Sequence, residues 1–156
     1  GKAFGSAGAF VACSDVIRSY LVNFCGGVIY STAPAPPAIG AAEVALQKIR
    51  SGGLDQPGYL EFVRGAHARL AAAGFDTGPS DTQIIPIAQG GDFSALSCAA
   101  HLRSRGLLAV PIRPPTVPEG TARLRISLTR LHSREHLDRL IAALVEHREM
   151  GPGTRA

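Results

Sequence analysis

The chain has 156 residues, of which 46% are hydrophobic and 18% charged, so it can build the packed core of one ordinary domain and is too apolar for wholesale disorder. The net charge is +4, but the arginines are dispersed without a basic run or interleaved aromatic residues, which argues against a nucleic-acid partner. The longest uncharged run, after Arg18, is broken by prolines and glycines, so we predict no membrane-spanning helix.

The number and spacing of the cysteines indicate a compartment. Cys13, Cys25 and Cys98 are odd in number and widely spaced, which argues against a disulfide framework or a zinc knuckle. A reducing cytoplasm fits this pattern best. The chain starts at Gly1 without a secretory signal, and we expect it to be processed or truncated.

The first elements are short and rich in glycine. A Gly-rich loop at 1–8 leads into a predicted apolar strand at 9–12. Ser14 is placed to cap a helix whose apolar residues recur at helical spacing, and Gly26 with Gly27 is expected to end it.

Helices dominate the next stretch. Val28 to Tyr30 is predicted as a second short strand, and the stiff segment APAPP follows at 33–37. From Ala38 an amphipathic helix runs to Gly52, and Pro57 opens another that runs to Gly74.

The remaining elements alternate between strand and helix. We predict a strand at 83–88, a helix at 92–105, strands at 107–112 and 122–129, and a last helix capped by Ser133. This order indicates an α+β layer, with a small mixed or antiparallel sheet and helices on one side.

Two lysines occur in the chain, Lys2 in the Gly-rich loop and Lys48 on the polar side of a predicted helix. Scarcity makes Lys2 a candidate functional amine, but from composition alone a solvated lysine in a flexible leader is the favoured interpretation, and spacing does not decide between the two.

Arg123 and Arg125 lie on a predicted strand whose apolar residues alternate with them, so both point the same way, about 7 Å apart. From the residues alone, solvated edge-strand arginines are the favoured interpretation, and the alternative is that one guanidinium binds both oxygens of a carboxylate. Thr116, in the Pro-rich loop before this strand, is either a turn threonine or a pocket residue.

His132 and His136 are four residues apart, a spacing that can bind a metal on one helix face. Because His132 precedes the Ser133 cap and no third ligand is suggested nearby, we expect ordinary surface residues and no metal site.

Four segments resemble one enzyme family: GKAFGSAGAF at 1–10, IYSTA at 29–33, TQIIPI at 82–87 and IRPPTVPEGTARLRISLT at 112–129. The family is the α-oxoamine synthases, among the fold-type I pyridoxal-phosphate (PLP) enzymes. Within it, the last segment most resembles the branch that condenses L-alanine with a pimeloyl thioester, with loss of carbon dioxide, in biotin biosynthesis.

The resemblance implies a site. Lys2 is then the Schiff-base lysine for PLP and the base at the substrate α-carbon. Arg125 holds the substrate α-carboxylate, and Thr116 lines the substrate pocket. Ser31 and Thr32 match hydroxyls that reach the cofactor phosphate of the neighbouring subunit, which implies a homodimer with the active site at its interface. The acyl donor is a thioester of coenzyme A or of a carrier protein.

The resemblance also implies the domain organisation of the C-terminal part of such an enzyme, the α/β fold of a PLP-dependent transferase. Residues 1–35 end the large PLP-binding domain, 36–55 form a connecting helix, 56–150 form the small α+β domain, and 151–156 form a disordered tail. In the family, an aspartate against the pyridinium nitrogen and a ring stacked on the cofactor precede the lysine. We therefore expect the 156-residue chain to be inactive alone.

Two departures and two alternatives accompany this resemblance. Ala9 replaces a glycine common in the family, and Pro34 with Ala35 alters the usual linker, which affects the phosphate geometry. One alternative is another branch, such as a glycine C-acetyltransferase, and the other is a non-catalytic or complementing subunit.

Overall fold

The computed structural model describes residues 1–151 and divides between Asp55 and Gln56 into two compact units. We call residues 1–55 the N-terminal unit and the chain from Gln56 onward the C-terminal unit. Of the tail predicted at 151–156, only Gly151, which caps the last helix, lies within the described residues. None of the helices in residues 1–151 combines the length and the apolar composition that a membrane span requires.

The N-terminal unit contains helices α1 (Asp15–Phe24), α2 (Gly26–Ile29) and α3 (Pro36–Arg50). The strand predicted at 28–30 is wrong, because the amides of Val28 and Ile29 both donate to the carbonyl oxygen of Cys25, at 2.9 and 3.0 Å. A short apolar run does not by itself distinguish a strand from a helical turn.

Two further predictions for this unit are corrected. Residues 9–12 are not a strand, since the strands of the described chain all belong to the C-terminal unit and none pairs with this segment. Gly26 begins α2 instead of ending α1, whose last residue is Phe24. Ser14 does occupy the N-cap position of α1, but its side chain makes no capping hydrogen bond.

Helix α3 begins two residues earlier than predicted, at Pro36. Proline is favoured in the first turn of a helix, because its fixed φ suits the helix and its missing N–H would have no partner there. The helix ends at Arg50, and Gly52 adopts a φ of 70° in the turn that follows.

The C-terminal unit contains α4 (Gln56–Ala72), β1 (Ile84–Gly90), α5 (Asp92–Ser104), β2 (Val110–Ile112), β3 (Ala122–Ser127) and α6 (Arg134–Met150). The sheet order is β1-β3-β2 and both pairings are antiparallel, so β3 is the central strand. The predicted α+β layer with a small antiparallel sheet is confirmed.

One face of this sheet packs against the three helices of the C-terminal unit. Leu124 and Ile126 of β3 face that core, while Arg123 and Arg125 alternate with them onto the other face, which we call the open face.

Burial raises the pKa of the Cys98 thiol of α5 to about 11. The largest fully buried side chains are Leu70, Ile85, Ile87, Leu102, Leu124, Leu144, Val63 and Cys98.

Helix α6 starts with a capping box, which confirms the predicted Ser133 cap. The amide of His136 donates to Ser133 Oγ at 3.3 Å, and the amide of Ser133 donates to His136 Nδ1 at 3.1 Å. The box satisfies two backbone N–H groups and fixes where the chain leaves β3 and enters α6.

Candidate active site

Arg125 lies at the centre of the open face. It is on the central strand, with Pro86 of β1 and Val110 of β2 as its cross-strand partners, so it is not an edge-strand arginine. Neither partner carries a charge. Within residues 1–151 its guanidinium forms no hydrogen bond or ion pair, which leaves the planar fork free to bind a carboxylate.

Arg123, two residues earlier on the same face, is placed differently. Its Nε donates to the carbonyl oxygen of Thr121 at 3.0 Å, which holds the guanidinium back toward the start of β3. The alternation of side chains along the strand cannot distinguish the two arginines. This hydrogen bond does, because it occupies the guanidinium of Arg123 and not that of Arg125.

Thr116 lies in the loop between β2 and β3. Its amide donates to the carbonyl oxygen of Arg113 at 3.0 Å across a turn that contains the cis peptide bond between Pro114 and Pro115. Its side chain is exposed, and its hydroxyl has no hydrogen-bond partner among the described residues. The C-terminal unit therefore carries both residues expected to contact substrate, each with a free polar group.

Lys2 lies in a tight turn of the N-terminal unit. The amide of Gly5 donates to the Lys2 carbonyl oxygen at 3.0 Å, and Gly5 and Gly8 adopt φ values of 58° and 113° that favour glycine. The side chain is exposed, and its amine makes no ion pair within the described chain. No acidic side chain of the described residues therefore holds this amine.

Ser31 and Thr32 follow α2, and their hydroxyls differ. Ser31 Oγ donates to the carbonyl oxygen of Gly27 in the preceding turn, so its proton is already used. The Thr32 hydroxyl is exposed and has no partner in the described part of the chain. Thr32 can donate to a phosphate oxygen, whereas the Ser31 hydroxyl retains only its acceptor lone pairs.

His132 and His136 use their rings locally. The amide of Thr129 donates to His132 Nδ1 at 2.9 Å, while His136 Nδ1 closes the capping box of α6. One ring nitrogen of each is therefore occupied. From residue 1 to residue 151, no group of three or more His, Cys, Asp or Glu side chains is arranged to hold a metal ion.

Sequence reasoning missed a polar cluster between α5 and α6. His101 is 9% exposed, and its Nε2 lies 3.7 Å from Oε2 of Glu146, which also pairs with Arg105. His147 Nε2 lies 3.1 Å from Ser97 Oγ, and burial, then the charge of the neighbouring His101, lowers the pKa of His147. The residue pattern carries no signal for this cluster, since these side chains meet only when the two helices pack.

Sequence reasoning also missed Ser6, which lies in the Gly-rich loop of Lys2. Its Oγ donates to the carbonyl oxygen of Ala38 in the first turn of α3 at 2.6 Å. The partners are 32 residues apart, and an acceptor on the backbone leaves no trace in the residue pattern.

Comparison with known proteins shows the family of the chain. The model of the aminotransferase class I and II family matches residues 1–144, a range that includes Lys2, Ser31, Thr32, Thr116 and Arg125. An 8-amino-7-oxononanoate synthase of Sodalis glossinidius is 45% identical over 148 residues, which covers 92% of this chain and 37% of the relative. The chain thus spans little more than a third of the relative's length.

Solved structures show a similar fold. The 8-amino-7-oxononanoate synthase of Francisella tularensis aligns with a TM-score of 0.75 at 23% identity, covering 96% of this chain and 44% of that one. A variant of serine palmitoyltransferase (SPT) solved with PLP aligns with a TM-score of 0.83 at 21% identity, covering 94% of this chain and 37% of that one. At these identities the likeness establishes the fold alone.

Proposed function

The chain belongs to the aminotransferase class I and II family, and from this premise we propose that it is part of a PLP-dependent 8-amino-7-oxononanoate synthase. The complete protein is an acyltransferase that condenses L-alanine with a pimeloyl thioester, on coenzyme A or a carrier protein, with loss of carbon dioxide. The product serves biotin biosynthesis. The resemblance to the α-oxoamine synthases is confirmed by the sequence relatives, and a solved synthase shares the fold.

The observation that carries the branch assignment is the 45% identity to the Sodalis glossinidius synthase over 148 residues. The likeness to SPT rests on 21% identity and supports a shared fold without a shared substrate. The 23% identity to the Francisella tularensis synthase is equally low, so the solved structures do not separate the branches and the assignment rests on the sequence relative.

The groups present in the N-terminal unit fit PLP. Lys2 supplies an exposed amine for covalent attachment of the cofactor aldehyde, and Thr32 supplies a free hydroxyl donor for a cofactor phosphate. The Ser31 hydroxyl can donate to that phosphate only when it releases the Gly27 carbonyl oxygen. When bound, PLP supplies an electron sink for the bonds at the substrate α-carbon. Lys2 Nζ moves the proton at that carbon.

The groups in the C-terminal unit fit the amino-acid substrate. Arg125 binds the α-carboxylate through both oxygens, and its place on a central strand fixes the point from which its side chain leaves the backbone. Thr116 offers a hydroxyl from a loop that three prolines stiffen, at Pro114, Pro115 and Pro118.

The assembly and location are part of the same proposal. By the family resemblance, Ser31 and Thr32 serve the cofactor of a second subunit, so the active protein is a homodimer. The three cysteines are free in the structure, and the cytoplasmic location stays a prediction from their number and spacing. The experiment that follows tests whether the chain is catalytically competent when it is joined to an N-terminal half.

The test uses a chimera in which this chain replaces the aligned part of the Sodalis glossinidius synthase. We expect the chimera to form 8-amino-7-oxononanoate from L-alanine and pimeloyl-coenzyme A, with glycine and serine turned over at least tenfold more slowly. Lys2→Ala in the same chimera is the matched control and is expected to be inactive. A chimera that folds, binds PLP and prefers glycine or serine contradicts the branch assignment, and one that turns over no amino acid supports the non-catalytic alternative.

A further inference from the structure

One serine joins the loop of Lys2 to a distant helix. We call residues 1–8 the lysine loop. Ser6 is half-buried in this otherwise largely exposed loop, and its Oγ donates to the carbonyl oxygen of Ala38 at 2.6 Å. The hydrogen bond links the loop to the first turn of α3, far away in the sequence.

The lysine loop needs such an anchor. Gly5 and Gly8 adopt positive φ values, and glycine gives up more backbone freedom on ordering than any other residue. The turn at Gly5 closes with one backbone hydrogen bond, to the Lys2 carbonyl oxygen at 3.0 Å. Fixing the direction of Lys2 therefore requires a contact from outside the turn.

The acceptor, the carbonyl oxygen of Ala38, lies in a rigid part of α3. Pro36 and Pro37 occupy the first positions of the helix and restrict its backbone, and a carbonyl within a helix has a fixed direction. By donating to this carbonyl oxygen, the Ser6 hydroxyl ties the lysine loop to α3, a helix of 15 residues.

We propose that Ser6 is a positioning residue, which holds the lysine loop on α3 in the conformation that presents the Lys2 amine to the cofactor aldehyde. The proposal rests on the proposed function for the role of Lys2, but the anchor itself does not. It assigns to Ser6 a role that neither the family match nor the names of the relatives state.

Hydrogen exchange of the 156-residue chain tests the anchor without cofactor. Ser6→Ala is expected to speed deuterium uptake in the peptide spanning residues 1–10 by about fivefold, the effect of one lost hydrogen bond. Ser6→Thr keeps the hydroxyl and should restore slow uptake. Ser19→Ala, at an exposed serine of α1 whose hydroxyl has no partner in the described residues, is the matched control and should leave the loop unchanged.

Covalent trapping tests the positioning. In the chimera, borohydride reduction after PLP addition should label Lys2 several-fold more slowly in Ser6→Ala than in the parent, while Lys48 stays unlabelled in both. Ser6→Thr should recover the rate. Unchanged uptake in Ser6→Ala overturns the anchor, and faster uptake with unchanged Lys2 labelling overturns the positioning role. A parent chimera that traps no cofactor on Lys2 instead contradicts the proposed function, and the positioning role with it.

Discussion

Arg123 and Arg125 share the open face of β3, but they use their guanidinium groups differently. Arg123 Nε donates to the carbonyl oxygen of Thr121 at 3.0 Å, whereas Arg125 has no polar partner within the described residues. Arg125 lies on the central strand between uncharged cross-strand neighbours. Its guanidinium can therefore bind a ligand without first breaking a polar contact within the protein.

This difference predicts unequal effects of two matched substitutions in the chimera. Arg125→Lys replaces the two-pronged fork by a point charge and should raise KM for L-alanine by about 10- to 100-fold. Arg123→Lys should change KM by less than about threefold. Steady-state kinetics over a range of L-alanine concentrations measures both, and equal effects of the two variants would show that the free guanidinium is not the carboxylate ligand.

The core of the C-terminal unit makes a second prediction. Leu124→Ala, at a fully buried position of β3, should lower the free energy of unfolding by about 2–5 kcal/mol. Leu131→Ala, at a leucine that is 90% exposed, should change it by less than about 0.5 kcal/mol. Urea unfolding followed by circular dichroism measures both, and a comparable loss in the two variants would contradict the assigned core.

The two serine N-caps provide a third, internally controlled prediction. Ser133→Ala removes the capping box of α6 and should destabilise the protein by about 1 kcal/mol. Ser14→Ala, at the N-cap of α1, removes a side chain that makes no capping hydrogen bond and should have a smaller effect. Urea midpoints of the two variants in the 156-residue chain decide the order, and the reverse order would contradict the cap geometry.

The cluster between α5 and α6 predicts a pH dependence. Burial and the neighbouring His101 lower the pKa of His147 below its ordinary value of about 6.5, so the unfolded chain binds this proton more tightly than the folded one. The contribution of His147 is therefore fully present above pH 6.5 and is lost as pH falls toward its lower folded pKa. The groups that face it are Ser97 and His101 of α5, with Glu146 beside it on α6.

Unfolding free energies measured between pH 8 and pH 5 test this dependence. His147→Gln should lose less stability on acidification than the parent chain. Ser97→Ala removes the hydrogen bond to the ring but keeps the titrating group, so it should retain the slope. A His147→Gln variant with the slope of the parent would place the pH dependence elsewhere.

The sequence predicted the C-terminal unit well because its elements repeat a clear pattern. The alternation of Leu124 and Ile126 with arginines marks a half-buried strand, and Ser133 before an amphipathic run marks the start of α6. The N-terminal unit was less predictable. Its runs at 9–12 and 28–30 are too short for periodicity to separate strand from helix, and no residue of α1, α2 or α3 is buried within the described structure.

The candidate site was predictable only through the resemblance. Residue types placed a lysine in a Gly-rich loop and two arginines on one strand face, and they left a solvated alternative open for each. The structure adds three hydrogen bonds that residue spacing cannot predict, those of Arg123, Ser31 and Ser6. Each joins a side chain to a backbone carbonyl, an acceptor that every residue type offers and that no motif records.

The most direct test of the proposed chemistry is the site of covalent cofactor attachment. The chimera is mixed with PLP, reduced with borohydride and digested, and the pyridoxyl group is located by mass spectrometry. We predict stoichiometric labelling of Lys2 with Lys48 unlabelled, and loss of the label in Lys2→Ala. Labelling of Lys48 to the same extent as Lys2, or a label that survives Lys2→Ala, would contradict the role proposed for Lys2.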